Sequence, residues 1–125
     1  MKRRARPLLL VWKAALILSI LCCLYPQTSF ATSPQDVKLA YDAGTQMLTV
    51  TITHPSSFPN RHYIKYVAIT KNGAKVMKNT YKSQPDTDTF AYTYKVPAAD
   101  GETLEVTATC SWYGYKTVNM TVGNN

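Results

Sequence analysis

Met47-Leu48-Thr49-Val50-Thr51-Ile52-Thr53-His54 alternates an apolar residue with threonine at every second position. Successive side chains of an extended strand point to opposite faces. One face of this stretch therefore carries Leu48, Val50, Ile52 and His54, and the other Thr49, Thr51 and Thr53. The spacing predicts a strand half buried against a core, with His54 on the core side at its end. Working outward, Val37 to Tyr41 precedes it across Asp42-Ala43-Gly44-Thr45, whose Asp and Gly suit a hairpin turn. Pro55 to Asn60, with two prolines, breaks the pattern into a loop.

The same period recurs to the C-terminus. His62 to Thr70 reads as a third strand and Ala74 to Lys82 as a fourth, joined by Asn72-Gly73, the strongest hairpin signal in the chain. After a turn region from Ser83 to Asp88, Phe90, Tyr92, Tyr94 and Val96 share one face against Ala91, Thr93 and Lys95. Beyond Pro97 to Gly101, Leu104, Val106, Ala108 and Cys110 face inward while Thr103, Glu105, Thr107 and Thr109 face outward. Val118, Met120 and Val122 suggest a seventh strand. No stretch beyond Asp36 repeats its apolar residues at helical spacing. The expectation is all-β: an immunoglobulin-like antiparallel β-sandwich of about seven strands.

The N-terminus reads differently. Lys2, Arg3, Arg4 and Arg6 lead into an apolar run from Ala14 to Leu24, followed by Ser29-Phe30-Ala31. A basic start, an apolar middle and small residues at the last and third-last positions make a secretory signal peptide. The expected organisation is a signal peptide over residues 1–31 and one domain over 32–125. The apolar run is shorter than the roughly 20 residues that span a bilayer, and Lys13 blocks its extension. Arg6 and Pro7 follow Arg3-Arg4 where a twin-arginine leader wants apolar residues. Leu21 precedes Cys22 where lipidation wants a small one. The expectation is export to a periplasm or the extracellular space, without stable membrane association after cleavage.

Cleavage changes the charge. Of 14 basic residues, five lie in the leader, and all seven acidic residues lie beyond it, leaving nine bases against seven acids. The basicity belongs to targeting, so nucleic acid is not an expected partner. Cys22 and Cys23 leave with the leader, and Cys110 alone remains, with no partner for an internal disulfide. An unpaired cysteine in an oxidising compartment calls for burial, an intermolecular bond or a metal.

Strand direction brings candidates to that cysteine. If successive strands run antiparallel, the second ends, the third begins and the sixth ends at one pole, so His54, His62 and Cys110 share a rim. Two imidazoles and a thiolate suit iron, zinc or copper better than magnesium or calcium, and three donors leave an open position. The same residues admit a plainer reading: His54 caps a strand end beside Pro55, His62 lies on the surface, and Cys110 is a small buried hydrophobe. Trp112, Tyr113 and Tyr115, straddling Gly114, form an aromatic cluster beside Cys110, either a platform for a ligand or the closing end of a small sandwich. No acid accompanies the histidines to orient a nucleophile, and no glycine-rich phosphate loop is present. Asp86 and Asp88 read as a solvated turn.

Taken in order, His54-Pro55, His62-Tyr63-Ile64, Lys71-Asn72-Gly73, Leu104-Glu105-Val106 and Cys110-Ser111-Trp112-Tyr113-Gly114 resemble the iron-binding domain of the desulfoferrodoxin, neelaredoxin and superoxide reductase family. The resemblance runs from about Val37 to the C-terminus. It implies an immunoglobulin-like sandwich whose ferrous centre, held by four histidines and an axial cysteine, reduces superoxide with electrons from a small redox partner. His54 and His62 match two of the histidines and Cys110 the axial thiolate. Tyr113 stands where the family's Cys-x-x-His-Gly ending has a ligand histidine. The Glu-Lys-His segment ahead of the first strands, with its lysine, has no counterpart. Three of five iron ligands remain, so the implication is iron or another transition metal bound with weak or absent superoxide reductase activity. The chain also resembles, in outline, the carrier partner of sulfur oxidation, which has a His-Pro, a His-hydrophobic-Ile and an Asn-Gly. That resemblance implies a non-catalytic exported binding module.

Overall fold

A computed structural model describes residues 7–22 and 32–123. Helix α1, Pro7–Cys22, lies in an N-terminal unit separate from the compact unit of residues 31–125. Its 16 residues rise about 24 Å, short of the roughly 30 Å hydrocarbon core, and no described helix is long and apolar enough to cross a membrane. The expected cleavage point at Ala31 lies outside the described residues.

The second unit holds seven strands: β1 Asp36–Asp42, β2 Met47–Thr53, β3 Ile64–Lys71, β4 Ala74–Thr80, β5 Thr89–Lys95, β6 Thr103–Cys110 and β7 Tyr115–Thr121. They form two antiparallel sheets, β1-β2-β5 and β4-β3-β6-β7. The chain is an all-β sandwich, as the alternation requires. Leu48, Val50, Ile52, Phe90 and Tyr94 face inward from the first sheet, and Ile64, Val67, Ile69, Leu104, Val106 and Ala108 from the second. Each large side chain removed from water here stabilises the fold by roughly 1.5–3 kcal/mol. This core lies wholly within residues 32–123, which belong to a compact unit of their own.

Several boundaries differ from the sequence expectation, each for a local reason. β2 ends at Thr53, and the His54 N–H carries its register with β5 one step further by donating to Asp88 O (2.8 Å) before Pro55 turns the chain away. β3 begins only at Ile64, because Arg61 and His62 both donate backbone N–H groups to Phe58 O (2.9 and 2.8 Å), closing a turn that includes His62. β4 ends at Thr80, and β7 starts at Tyr115, earlier than its apolar residues suggest. In the first hairpin the left-handed residue is Gln46 (φ 57°), while Asp42 Oδ1 accepts the N–H groups of Gly44 and Thr45 (2.9 and 3.1 Å). Asn72 (φ 50°) and Gly73 (φ 81°) are both left-handed, as a type I′ turn demands.

Register at the start of β3 sets up the rim. Ile64 pairs with Cys110 but Tyr66 pairs with Thr109, so a bulge falls at Lys65. The extra residue lets Ile64 and Val67, three apart, both face the core. It also seats the beginning of β3 beside the end of β6.

Candidate metal centre

The rim is built from four pieces: the end of β2, the turn before β3, the end of β6 with the turn after it, and the segment that enters β1. His54 and Cys110 occupy the inward positions their parity assigns, 1% and 4% exposed. His62 is carried by its turn rather than by a strand. That turn is tied down on both sides. Ser56 Oγ donates to His62 O (2.6 Å), Tyr63 N–H donates to Ser111 Oγ (3.1 Å), and Ser111 N–H donates to Tyr63 O (2.8 Å).

The structure brings His54, His62 and Cys110 together. One donor atom from each lies within 4.8 Å of the others, and the trio is of mixed burial with two members buried. Two donors on opposite sides of a metal with bonds of about 2.3 Å stand about 4.6 Å apart. A limit of 4.8 Å therefore lies at the outer edge of what one metal can span, and binding would draw the donors inward. The imidazoles meet edge to face, centroids 4.6 Å apart, and Trp112 stacks on the outer face of His62 at 4.3 Å and 15°.

The three donors differ in readiness. His62 Nε2 is buried and has no hydrogen-bond partner. A buried polar atom left unpaired costs about 1–3 kcal/mol, so this nitrogen is the donor most in need of a ligand. Cys110 Sγ accepts the N–H of Trp112 at 3.4 Å, a contact that holds the sulfur at the rim. His54 is fully engaged. Gln84 Nε2 donates to His54 O (2.9 Å) and Asp86 O (2.8 Å), which turns Gln84 Oε1 toward His54 Nδ1 at 2.8 Å. Nδ1 must therefore carry hydrogen and donate. The other nitrogen, Nε2, stands 3.0 Å from Thr32 O, a second acceptor, so it is placed to donate there and reaches a metal only once that hydrogen bond is given up. A histidine ligand normally holds its second N–H on an acceptor of this kind, which fixes the tautomer and aims the free nitrogen at the metal. Gln84 supplies that support, and Thr32 covers the nitrogen it aims.

Charge within the cluster acts against protonation of His62. Burial holds its pKa below the ordinary 6.5, the neighbouring His54 pushes it further down, and the nearby Thr32 backbone acts in the opposite direction. A neutral imidazole is the form that binds metal. Chemically the trio fits a transition metal that accepts both imidazole and sulfur.

Tyr113 does not join them. It is 79% exposed, in the turn that follows β6. Trp112 and Tyr115 are also exposed in good part, at 53% and 67%, so the aromatic cluster closes the rim on one ring face only, that of Trp112 against His62. Sequence reasoning missed Gln84 and Thr32. Gln84 is a polar residue in a loop and nothing in its neighbours marks it as 5% exposed. Thr32 gives no signal because it acts through its backbone oxygen.

No protein-family model matches the chain, and no curated protein matches it. Among solved structures it is similar to a superoxide reductase (neelaredoxin) from Ignicoccus hospitalis, at 14% identity and a TM-score of 0.46 over 71% of this chain and 79% of that one. It is also similar to the superoxide reductase from Nanoarchaeum equitans, at 15% identity and a TM-score of 0.42 over 76% and 97%. Likeness at these scores does not place a chain in a family.

Proposed function

We propose that this chain is an exported domain that binds iron, or a transition metal of similar preference, through His54, His62 and Cys110. The observation that carries the reading is the buried, unpartnered Nε2 of His62, on a residue that has a ring nitrogen within 4.8 Å of a donor nitrogen of His54 and of the Cys110 sulfur. A purely structural cluster of these residues has no use for an orphaned nitrogen. His54 would be aimed by Gln84, His62 backed by Trp112, and Cys110 would donate sulfur charge under the Trp112 N–H. A ferrous ion there would supply one-electron chemistry.

The donor set sets the level of activity. Three protein ligands leave half of an octahedron to solvent, and no described basic group lies among them to draw in an anion. Arg61 and Lys65 are close in sequence, where they steer an anion without touching it. Superoxide reductase activity is accordingly weak or absent. The test is anaerobic titration with ferrous iron followed by superoxide consumption with a reductant present, for wild type, Cys110→Ser and His62→Ala. The reading expects weak iron binding in wild type that both substitutions abolish, with little turnover. Iron binding unchanged by either substitution refutes it. Robust turnover that Cys110→Ser removes would make the protein an efficient enzyme and refute the stated activity level.

A second reading, a binding module without metal, draws on the exposed aromatic rings of Phe58, Trp112, Tyr113 and Tyr115. It leaves the His62 nitrogen without a reason to be buried.

A further inference from the structure

The segment that covers His54 is the one a leader peptidase would expose. Four contacts hold it across the rim. Gln35 N–H donates to Thr53 O (2.8 Å), and Lys116 Nζ donates to Gln35 O (2.8 Å). Pro34 is buried, and Ser33 sits so close over Gly114 (φ 86°) that a Cβ there would overlap its hydroxyl. Thr32 Oγ1 donates to Tyr113 O (2.6 Å), which fixes the residue whose carbonyl oxygen stands 3.0 Å from His54 Nε2. His54 thus faces the backbone of one residue, and that residue directly follows Ala31.

We infer that the α-amino group of Thr32, released when the leader is removed after Ala31, is a further donor of the metal centre, chelating together with the Thr32 carbonyl oxygen. The inference rests on the reading that His54, His62 and Cys110 hold a metal. Hydrolysis of the Ala31–Thr32 peptide bond consumes one water, leaves the carboxyl group on Ala31 and the amino group on Thr32. The amide nitrogen of the uncleaved chain has its lone pair tied up in resonance. The amine, once its proton passes to solvent, has a free one. Nitrogen and carbonyl oxygen of a single residue are joined through two carbons, so a metal held by both closes a five-membered ring. A metal at His54 Nε2 displaces the hydrogen of that contact and lies beside the line between the nitrogen and the Thr32 oxygen, since two neighbouring donors about 2.1 Å from one ion stand about 3 Å apart, so this oxygen is its nearest backbone neighbour. Removal of the leader would then complete the site, and the unprocessed chain would hold metal poorly.

The experiment compares two preparations of the domain: chain exported by its own leader, with its first residue identified by mass, and the same domain carrying an acetyl group on the Thr32 nitrogen. The acetyl group reproduces the amide that precedes Thr32 in the full chain, in which the segment is seated as described, so it removes the amine without disturbing the fold. Cobalt(II) is the probe, read by its sulfur-to-metal charge-transfer absorption and by competition with a chelator, with Cys110→Ser as the control. A donor held in place acts at high effective concentration, and the expected result is affinity about tenfold or more tighter for the free amine. Both preparations should show a sulfur band that Cys110→Ser abolishes. Equal affinity in the two, or an exported chain that begins at a residue other than Thr32, overturns the inference and leaves the three side chains standing. Absence of the sulfur band from both overturns the metal reading and the inference together.

Discussion

Replacing Gln84 by Ala removes the residue on which the aim of His54 depends. Its side chain makes three hydrogen bonds, with His54 Nδ1 at 2.8 Å, His54 O at 2.9 Å and Asp86 O at 2.8 Å. A typical buried bond contributes about 1 kcal/mol net, and a buried partner left unsatisfied costs about 1–3 kcal/mol. His54 is 1% exposed, so water does not readily replace the lost partner at Nδ1. The Asp86 carbonyl, in an open turn, recovers water more easily. The expected loss is about 3 kcal/mol. In urea, with a slope of about 1.5 kcal/mol/M for a domain of this size, the midpoint should fall by about 2 M with the slope unchanged. Combining Gln84→Ala with His54→Ala should cost clearly less than the two losses added, because both remove the same pair. A loss below about 1 kcal/mol, or strict additivity, would refute the view that Gln84 holds His54. Metal affinity should fall in Gln84→Ala as well, since support of this kind is commonly worth 10–100-fold.

Two further outcomes follow from the same geometry. Gly114→Ala places a Cβ against Ser33 at a left-handed position (φ 86°), which costs about 1–2 kcal/mol in backbone strain alone. It should lower the thermal midpoint and lift the segment from Thr32 to Gln35, read as faster amide exchange at Gln35, whereas unchanged exchange there contradicts the described seating. The pKa of His62 is held below 6.5 by burial and by His54, so the folded state resists its protonation. That contribution is present above pH 6.5 and is lost as pH falls through the lower folded value, and His62→Phe should flatten this part of the stability profile. An unchanged profile would mean that another group titrates there.

How far the sequence carries can be seen residue by residue. His54 and Cys110 were legible because each ends a run of alternating apolar residues, Leu48-Val50-Ile52 and Leu104-Val106-Ala108, whose parity survives into the fold. His62 was placed at the right pole for a partly different reason: it lies in a turn before β3, and a bulge at Lys65 brings that turn alongside Cys110. No alternation rule announces a bulge at a lysine. Gln84 and Thr32 were illegible for another cause. Their roles depend on loops folding back over a rim, through hydrogen bonds between residues 30 and 22 positions apart. Local pattern fixes which face a strand residue takes, while long-range loop closure fixes what covers it.

The most direct test of the central claim is X-ray absorption at the iron edge of the protein loaded anaerobically with one ferrous equivalent. The account predicts one sulfur scatterer at about 2.3 Å together with imidazole scattering from two histidines, and loss of the sulfur shell in Cys110→Ser. A first shell of oxygen and nitrogen alone in the wild-type protein, identical in Cys110→Ser, would contradict it.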